Sequence, residues 1–325
     1  MTTPEQPERP QQTDQPQHPE QESFAVHVER LVTEGKLTRA EAAELLEPVH
    51  DEAARQADAL ALAHEAIRLE TVRPDAVDLE KGAASDTPPD LTLDVSGYGL
   101  QVVQDASLTQ PRLTASRGGV LQLRAGPDGW TLRHVGHERA WGLKAVLSLP
   151  FMPRSVRAEV SGSNLTLPDI SGAARIEVSG GNATLGGAAE LQAEVSGGNL
   201  TAGVVSGALR LEVSGGNMSV AHSSALHAEI NGGQLTWAGR LDAGQHTLEV
   251  NGGQATLRLS EGSSVQIQAE STLGGVSSSF PLQKTGGVMR AQYSGTLGGG
   301  AASLKCEVNA GQIRLVAEGA DGGRS

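Results

Sequence analysis

The sequence predicts a mainly β protein, a single-chain parallel β-solenoid (β-helix) with coils of about 18 residues, preceded by a small α-helical module and a disordered N-terminus. Three observations predict it. A six-residue motif recurs at nearly constant spacing. The residues around it alternate apolar and polar with period two. The 325 residues also include 41 glycines but only 2% aromatics. Bulky aromatics usually supply much of a globular core. With so few, the core must be built from Val, Leu, Ile and Ala in thin layers, each covering the next, as stacked repeats do.

Residues 1–22 are dominated by Pro, Gln and Glu with almost nothing apolar. Such a segment cannot offset its ordering entropy and is expected to be disordered. Residues 23–72 read as helical, because Phe24, Val28, Leu31 and Val32 fall at helical spacing. Gly35 ends that element, and Thr38 with Glu41 forms a capping box for the next. The apolar stripes can pack on one another or on a partner. Residues 73–90 contain Pro74, Pro88 and Pro89 and read as a linker. Residues 91–317 are assigned to the solenoid and 318–325 to a disordered tail.

The motif starts at Val160, Val178, Val195, Val213, Ile230 and Val250, with spacings of 18, 17, 18, 17 and 20. Reading backwards from it, Ala158, Ile176, Ala193, Leu211, Ala228 and Leu248 fall on the same side of an alternating strand as the motif Val or Ile. His246 breaks the next column back, and reads as relaxed patterning in the longest coil rather than as a ligand. The Ser-Gly-Gly or Asn-Gly-Gly step turns the chain, since glycine tolerates positive φ. A second strand follows, with Leu165, Ala183, Leu200, Met218, Leu235 and Ala255 pointing in and a mostly Thr column pointing out.

Stacking converts the repeat into polar rows. Asn164, Asn182, Asn199 and Asn217, continued by Gln234 and Gln254, should form a structural amide ladder. Glu159, Glu177, Glu194, Glu212, Glu229 and Glu249 each precede the motif residue and should form an outward row of carboxylates ~5 Å apart. Arg157, Arg175 and Arg210, two residues earlier on the same face, can partly neutralise that row, with weak individual pairs. The functional reading of the row is a surface for a divalent cation or a basic partner. The Ca²⁺ repeat G-G-x-G-x-D is absent.

The chemistry-bearing remainder is sparse. Cys306 is the one cysteine and reads as a small residue in a strand. His134 and His137 lie close in sequence, and Trp130, Trp141 and Trp237 are scattered. No catalytic residue and no cofactor are assigned. A net charge of −13 disfavours nucleic acid and anionic lipid. No stretch approaches the ~18 apolar residues that span a bilayer. The N-terminus lacks a secretory signal, so the expected location is cytoplasmic, with peripheral envelope association and non-classical export left open.

The V-S-G-G-N-x-T coils resemble the V-S-G-D-[IV] repeats of the DUF4097 family of adhesin-like β-strand repeat proteins. The resemblance extends to Ala145–Pro150 before the repeats and to Ser279–Leu282, Gly295–Gly300 and Val308–Ile313 after them. Residues 31–46 are similar to the helical module ahead of such repeats in YvlB- and LiaX-like proteins. One departure is that Asn or Gln, with an extra residue before it, stands where the family has an acid. The resemblance implies a solenoid and a link to bacterial cell-envelope stress or surface interaction, and it implies no reaction. The expected function is therefore a non-enzymatic scaffold with a protein partner or self-assembly. The alternatives are a secreted adhesin-like protein and a β-helical polysaccharide-acting enzyme. The latter would need a local group of acids or a metal, and the acids here are spread one per coil.

Overall fold

Each repeat holds two short apolar strands joined at a glycine corner, and the chain winds accordingly between two facing sheets. The computed structural model describes residues 87–135, 142–287 and 289–318, all within the compact unit Arg68–Ser325. The leader, the helical module, most of the linker and residues 319–325 lie outside the described residues, as do His137 and Trp141. No helix occurs among the described residues, and so none long and apolar enough to cross a membrane.

The regular stack runs through six coils: β7 (Ser155–Ser161) and β8 (Ser163–Leu167), β9 (Ala173–Val178) and β10 (Gly181–Ala188), β11 (Glu190–Val195) and β12 (Asn199–Val205), β13 (Leu209–Val213) and β14 (Asn217–Ser223), β15 (His227–Ile230) and β16 (Gln234–Gly239), β17 (Gln245–Val250) and β18 (Gln254–Leu259). Odd-numbered strands join a 13-stranded sheet and even-numbered ones an 11-stranded sheet. Neighbouring coils pair in parallel, with the motif residues in register: Val160, Val178, Val195, Val213, Ile230 and Val250. All are 1% exposed or less. Leu165, Ala183, Leu200, Met218, Leu235 and Ala255 are buried opposite them in the other sheet. Burying each Val or Leu contributes roughly 1.5–3 kcal/mol, so the layered core needs few aromatics, chiefly Tyr98, Trp130 and Trp237.

The second glycine of each corner is required twice over. Gly198 has φ +82, and a Cβ there would lie 2.1 Å from the carbonyl oxygen of Gly181 in the coil below. Gly181, Gly216, Gly233 and Gly253 repeat the arrangement. In the first coil Gly162 takes the positive φ instead. Ser163 is then buried there, donating its hydroxyl to the carbonyl of Val95.

The sequence leads one to expect coils stacked in chain order, and both ends depart from this. At the N-terminal end, β1 (Asp90–Ser96) and β2 (Tyr98–Gln104) lie between the first regular coil and the strands β5 (Gly129–His134) and β6 (Leu143–Leu149). The antiparallel strands β3 (Arg112–Ala115) and β4 (Leu121–Gly126) close that end. At the other end, β19 (Val265–Thr272) and β20 (Gly274–Ser278) leave one layer open, which β23 (Ala302–Val308) and β24 (Gly311–Ala317) later fill. β22 (Arg290–Leu297) and β21 (Gln283–Gly286) add antiparallel strands beyond β19. The stack is therefore not parallel throughout. Antiparallel strands finish both sheets at the N-terminal end and the 13-stranded sheet at the other, while β20, paired in parallel with β24, ends the 11-stranded sheet. Inserting the first and last strand pairs one layer inward also gives each a neighbour on both sides.

Candidate functional site

The distinctive chemistry lies on the outer face of the 13-stranded sheet, to which every second residue of each strand points. Glu159, Glu177, Glu194, Glu212, Glu229 and Glu249 stand directly over one another. The column is longer than the motif count suggests. Asp94 adjoins Glu159 at one end, Glu307 adjoins Glu249 at the other, and Glu270 adjoins Glu307. Nine carboxylates thus share one register, at the ~4.8 Å strand spacing.

A second column lies beside it, with Arg157, Arg175, Gln192 and Arg210 in register in one part and His227, Thr247, Lys305 and Gln268 in the other. The acids are compensated unevenly, by this column and by neighbouring side chains. Arg157 approaches Glu159 at 3.5 Å, Arg175 reaches Glu177 at 3.1 Å, and Arg290 reaches Glu270 at 3.3 Å. Asn231 donates to Glu229 and Asn251 to Glu249, both at 3.0 Å. Glu194, Glu212 and Glu307 make no such contact among the described residues. The face is grooved. One hollow of about 540 Å³ runs past Asp90, Arg157, Arg175, Gln192 and Arg210. Another of about 240 Å³ follows Glu212, His227, Glu229, Glu249, Lys305 and Glu307. Among the described residues no three His, Cys, Asp or Glu side chains are gathered to hold a metal ion.

The amides occupy the opposite sheet. Asn182 donates to Asn164 at 3.0 Å, Asn199 to Asn182 at 2.7 Å, and Asn217 to Asn199 at 2.9 Å. Gln234 and Gln254 continue the column in register. A shorter ladder that the sequence reading missed crosses the inserted layer: Asn251 donates to Asn231 at 2.9 Å and Asn309 to Asn251 at 2.6 Å. These amides satisfy one another, so their first role is to hold neighbouring coils together.

The remaining singled-out residues are structural. His246 is 4% exposed. Its Nδ1 accepts the Leu226 N–H at 3.3 Å, and its Nε2 donates to the Ala243 carbonyl at 3.0 Å. Burial holds its pKa below the ordinary histidine value. It is a core histidine with both ring nitrogens used, more specific than the relaxed patterning read from sequence. Cys306 is fully buried, and burial pushes its thiol up to about 12, which disarms it as a nucleophile. His134 lies half-buried at the end of β5, and Trp130 and Trp237 are core residues.

The Toastrack DUF4097 family model matches residues 154–316. Among solved structures, the chain is similar to a candidate adhesin from Bacteroides fragilis at 10% identity, covering 70% of this chain and 92% of that one, with a TM-score of 0.26. It is also similar to a candidate cell adhesion protein from Clostridium sporogenes at 11% identity, covering 77% and 98%, with a TM-score of 0.22. A candidate adhesin from Parabacteroides distasonis gives 11% identity over 70% and 92%, with a TM-score of 0.35. A search of curated proteins finds no match.

Proposed function

The chain belongs to the Toastrack DUF4097 family, and we propose that it serves as a non-enzymatic interaction scaffold whose working surface is the striped outer face of the 13-stranded sheet. One observation carries the reading: a column of nine in-register carboxylates, three of them without a polar partner among the described residues. Like charges ~4.8 Å apart repel. The fold keeps them in a row nonetheless, and a partner carrying spaced positive charges would relieve the repulsion. An even distribution along the stack suits an extended partner better than a small substrate, which needs groups converging on one point. A role at the bacterial cell envelope is part of the proposal, motivated by the likeness of residues 31–46 to the helical module of envelope-stress proteins, and cell fractionation tests it.

The face is tested with an oligolysine peptide. The full-length chain should bind it with an affinity that falls as salt rises. The variant Glu194→Gln/Glu212→Gln/Glu307→Gln should bind it several-fold more weakly while melting no lower than the unmodified chain, with oligoglutamate as the inert control. Equal binding by both proteins would remove the face from the account. The same pair, melted in EDTA and in millimolar Ca²⁺, shows whether a divalent cation can take the partner's place: a shift confined to the unmodified chain would say that it does.

A further inference from the structure

The two sheets end level at the N-terminal end and unevenly at the C-terminal end. Beyond the layer of β19 and β20, the 13-stranded sheet continues through β22 and β21, while the 11-stranded sheet stops at β20. The overhang is therefore two strands deep. Facing it, in the plane of the 11-stranded sheet, no described strand lies beyond β20.

Both lips of this step are open edges. Ser279 N–H donates to Leu315 O at 3.0 Å. By alternation along a parallel pair, the backbone groups of Ser277 and Gly275 also face β24, and those of Gly274, Val276 and Ser278 face outward. On β21, Gly287 N–H donates to Arg290 O at 2.9 Å, so the antiparallel alternation turns the groups of Lys284 and Gly286 outward. The step is also unusually apolar. Leu273 and Met289 are 70% and 74% exposed, and both lie at its glycine-corner side, since Thr272 pairs with Arg290. Val276, Phe280, Leu282 and Tyr293 are only partly buried around it. The edges of the step carry one charge between them, Lys284 on β21, and the N-terminal edges carry two, Arg112 on β3 and Arg124 on β4. Charge on an edge strand discourages pairing, and its absence permits it.

We propose that two copies of this chain join end to end through this step, β21 of each pairing with β20 of the other. A closed coil must run out along one sheet and back along the other, so strands of the two sheets point in opposite directions. A two-fold axis parallel to the strands and midway between the sheets exchanges the two sheet planes while keeping strand directions. It places each two-strand overhang in the other copy's two-strand recess and makes both new pairs antiparallel. The 13-stranded sheet of each copy then runs on into the 11-stranded sheet of the other. The contact is isologous, as closed dimers require, and it does not depend on the carboxylate face. The strands that meet carry one charge between them, Lys284. It points to the inner side of the step opposite Tyr293, with its Nζ 5.5 Å from the ring centroid. An inward lysine on an edge strand opposes pairing, so it weakens the dimer and its removal should tighten it.

Sedimentation velocity of the full-length chain across the micromolar range tests this. The unmodified chain should show a concentration-dependent monomer–dimer equilibrium. Leu273→Glu/Met289→Glu, at exposed positions, should weaken it about ten-fold or more at an unchanged melting temperature, and Lys284→Met should tighten it by a similar factor. The carboxylate variant Glu194→Gln/Glu212→Gln/Glu307→Gln should leave it in place, so failure of the face and failure of the step are told apart. A monomer at every concentration, or a dimer that the end variants leave unchanged, would overturn the proposal. So would a dimer lost in the carboxylate variant.

Discussion

His246 occupies an inward position that Leu304 fills in the adjoining coil. It holds a backbone N–H from Leu226 on one nitrogen and a carbonyl of Ala243 on the other. Protonating Nδ1 would turn that acceptor into a donor aimed at a donor. The groups nearest the ring are His227, with centroids 6.5 Å apart, and Asp242, which lie on opposite sides of the charge balance. Burial lowers the folded-state pKa, so between the unfolded value of about 6.5 and the lower folded value the unfolded chain binds the extra proton. Stability is thus fully present above about pH 7 and declines as pH falls below about 6.5. The melting temperature should drop between about pH 7.5 and pH 5.5, and His246→Leu should remove most of that drop. Parallel curves for the two proteins would assign the acid sensitivity elsewhere. Trp130 and Trp237 show the opposite economy, since their indole N–H groups are buried with no acceptor among the described residues. Nothing in a one-letter string separates these indoles from satisfied ones.

At the scale of the coil, every layer presents the same corner, the same inward columns and the same outward rows. Deleting Ser196–Val213 would join Val195 to Ser214 and restore the motif without a register change. Because repeat stability is close to a sum of nearest-neighbour contributions, that variant should remain soluble and cooperative with a lower melting temperature. Truncation before β23 should fare far worse, because it removes an inner layer, between β17 and β19, and not the end of the stack. Soluble, cooperative melting by both variants would contradict this arrangement. The regular coils were legible because alternation with period two and a fixed repeat dictate the same inward columns. The ends were harder to read. Asp94-Val95-Ser96-Gly97 and Glu307-Val308-Asn309 carry the motif, and could have extended the carboxylate column from sequence alone. Their insertion out of chain order could not be read. It depends on which strands compete for an open edge, a tertiary matter that local periodicity does not encode.

The described β-stack repeats one core layer, with an acid-rich stripe on one face, amides on the other, and unequal ends. The amide ladders and glycine corners fix the spacing that turns scattered glutamates into a column, and the antiparallel end strands limit how far the stack can grow. The interaction reading of the face and the pairing reading of the step both follow from this in-register stacking, which is the claim to test first. Spin labels at Glu159→Cys and Glu249→Cys, in a Cys306→Ser background, lie on the exposed face and are separated by five strand pairings. At ~4.8 Å per pairing, the pulsed-EPR distance between their backbones should centre near ~24 Å in a narrow distribution, allowing for label length. A broad distribution, or a centre beyond ~40 Å, which five pairings cannot span, would contradict the stack.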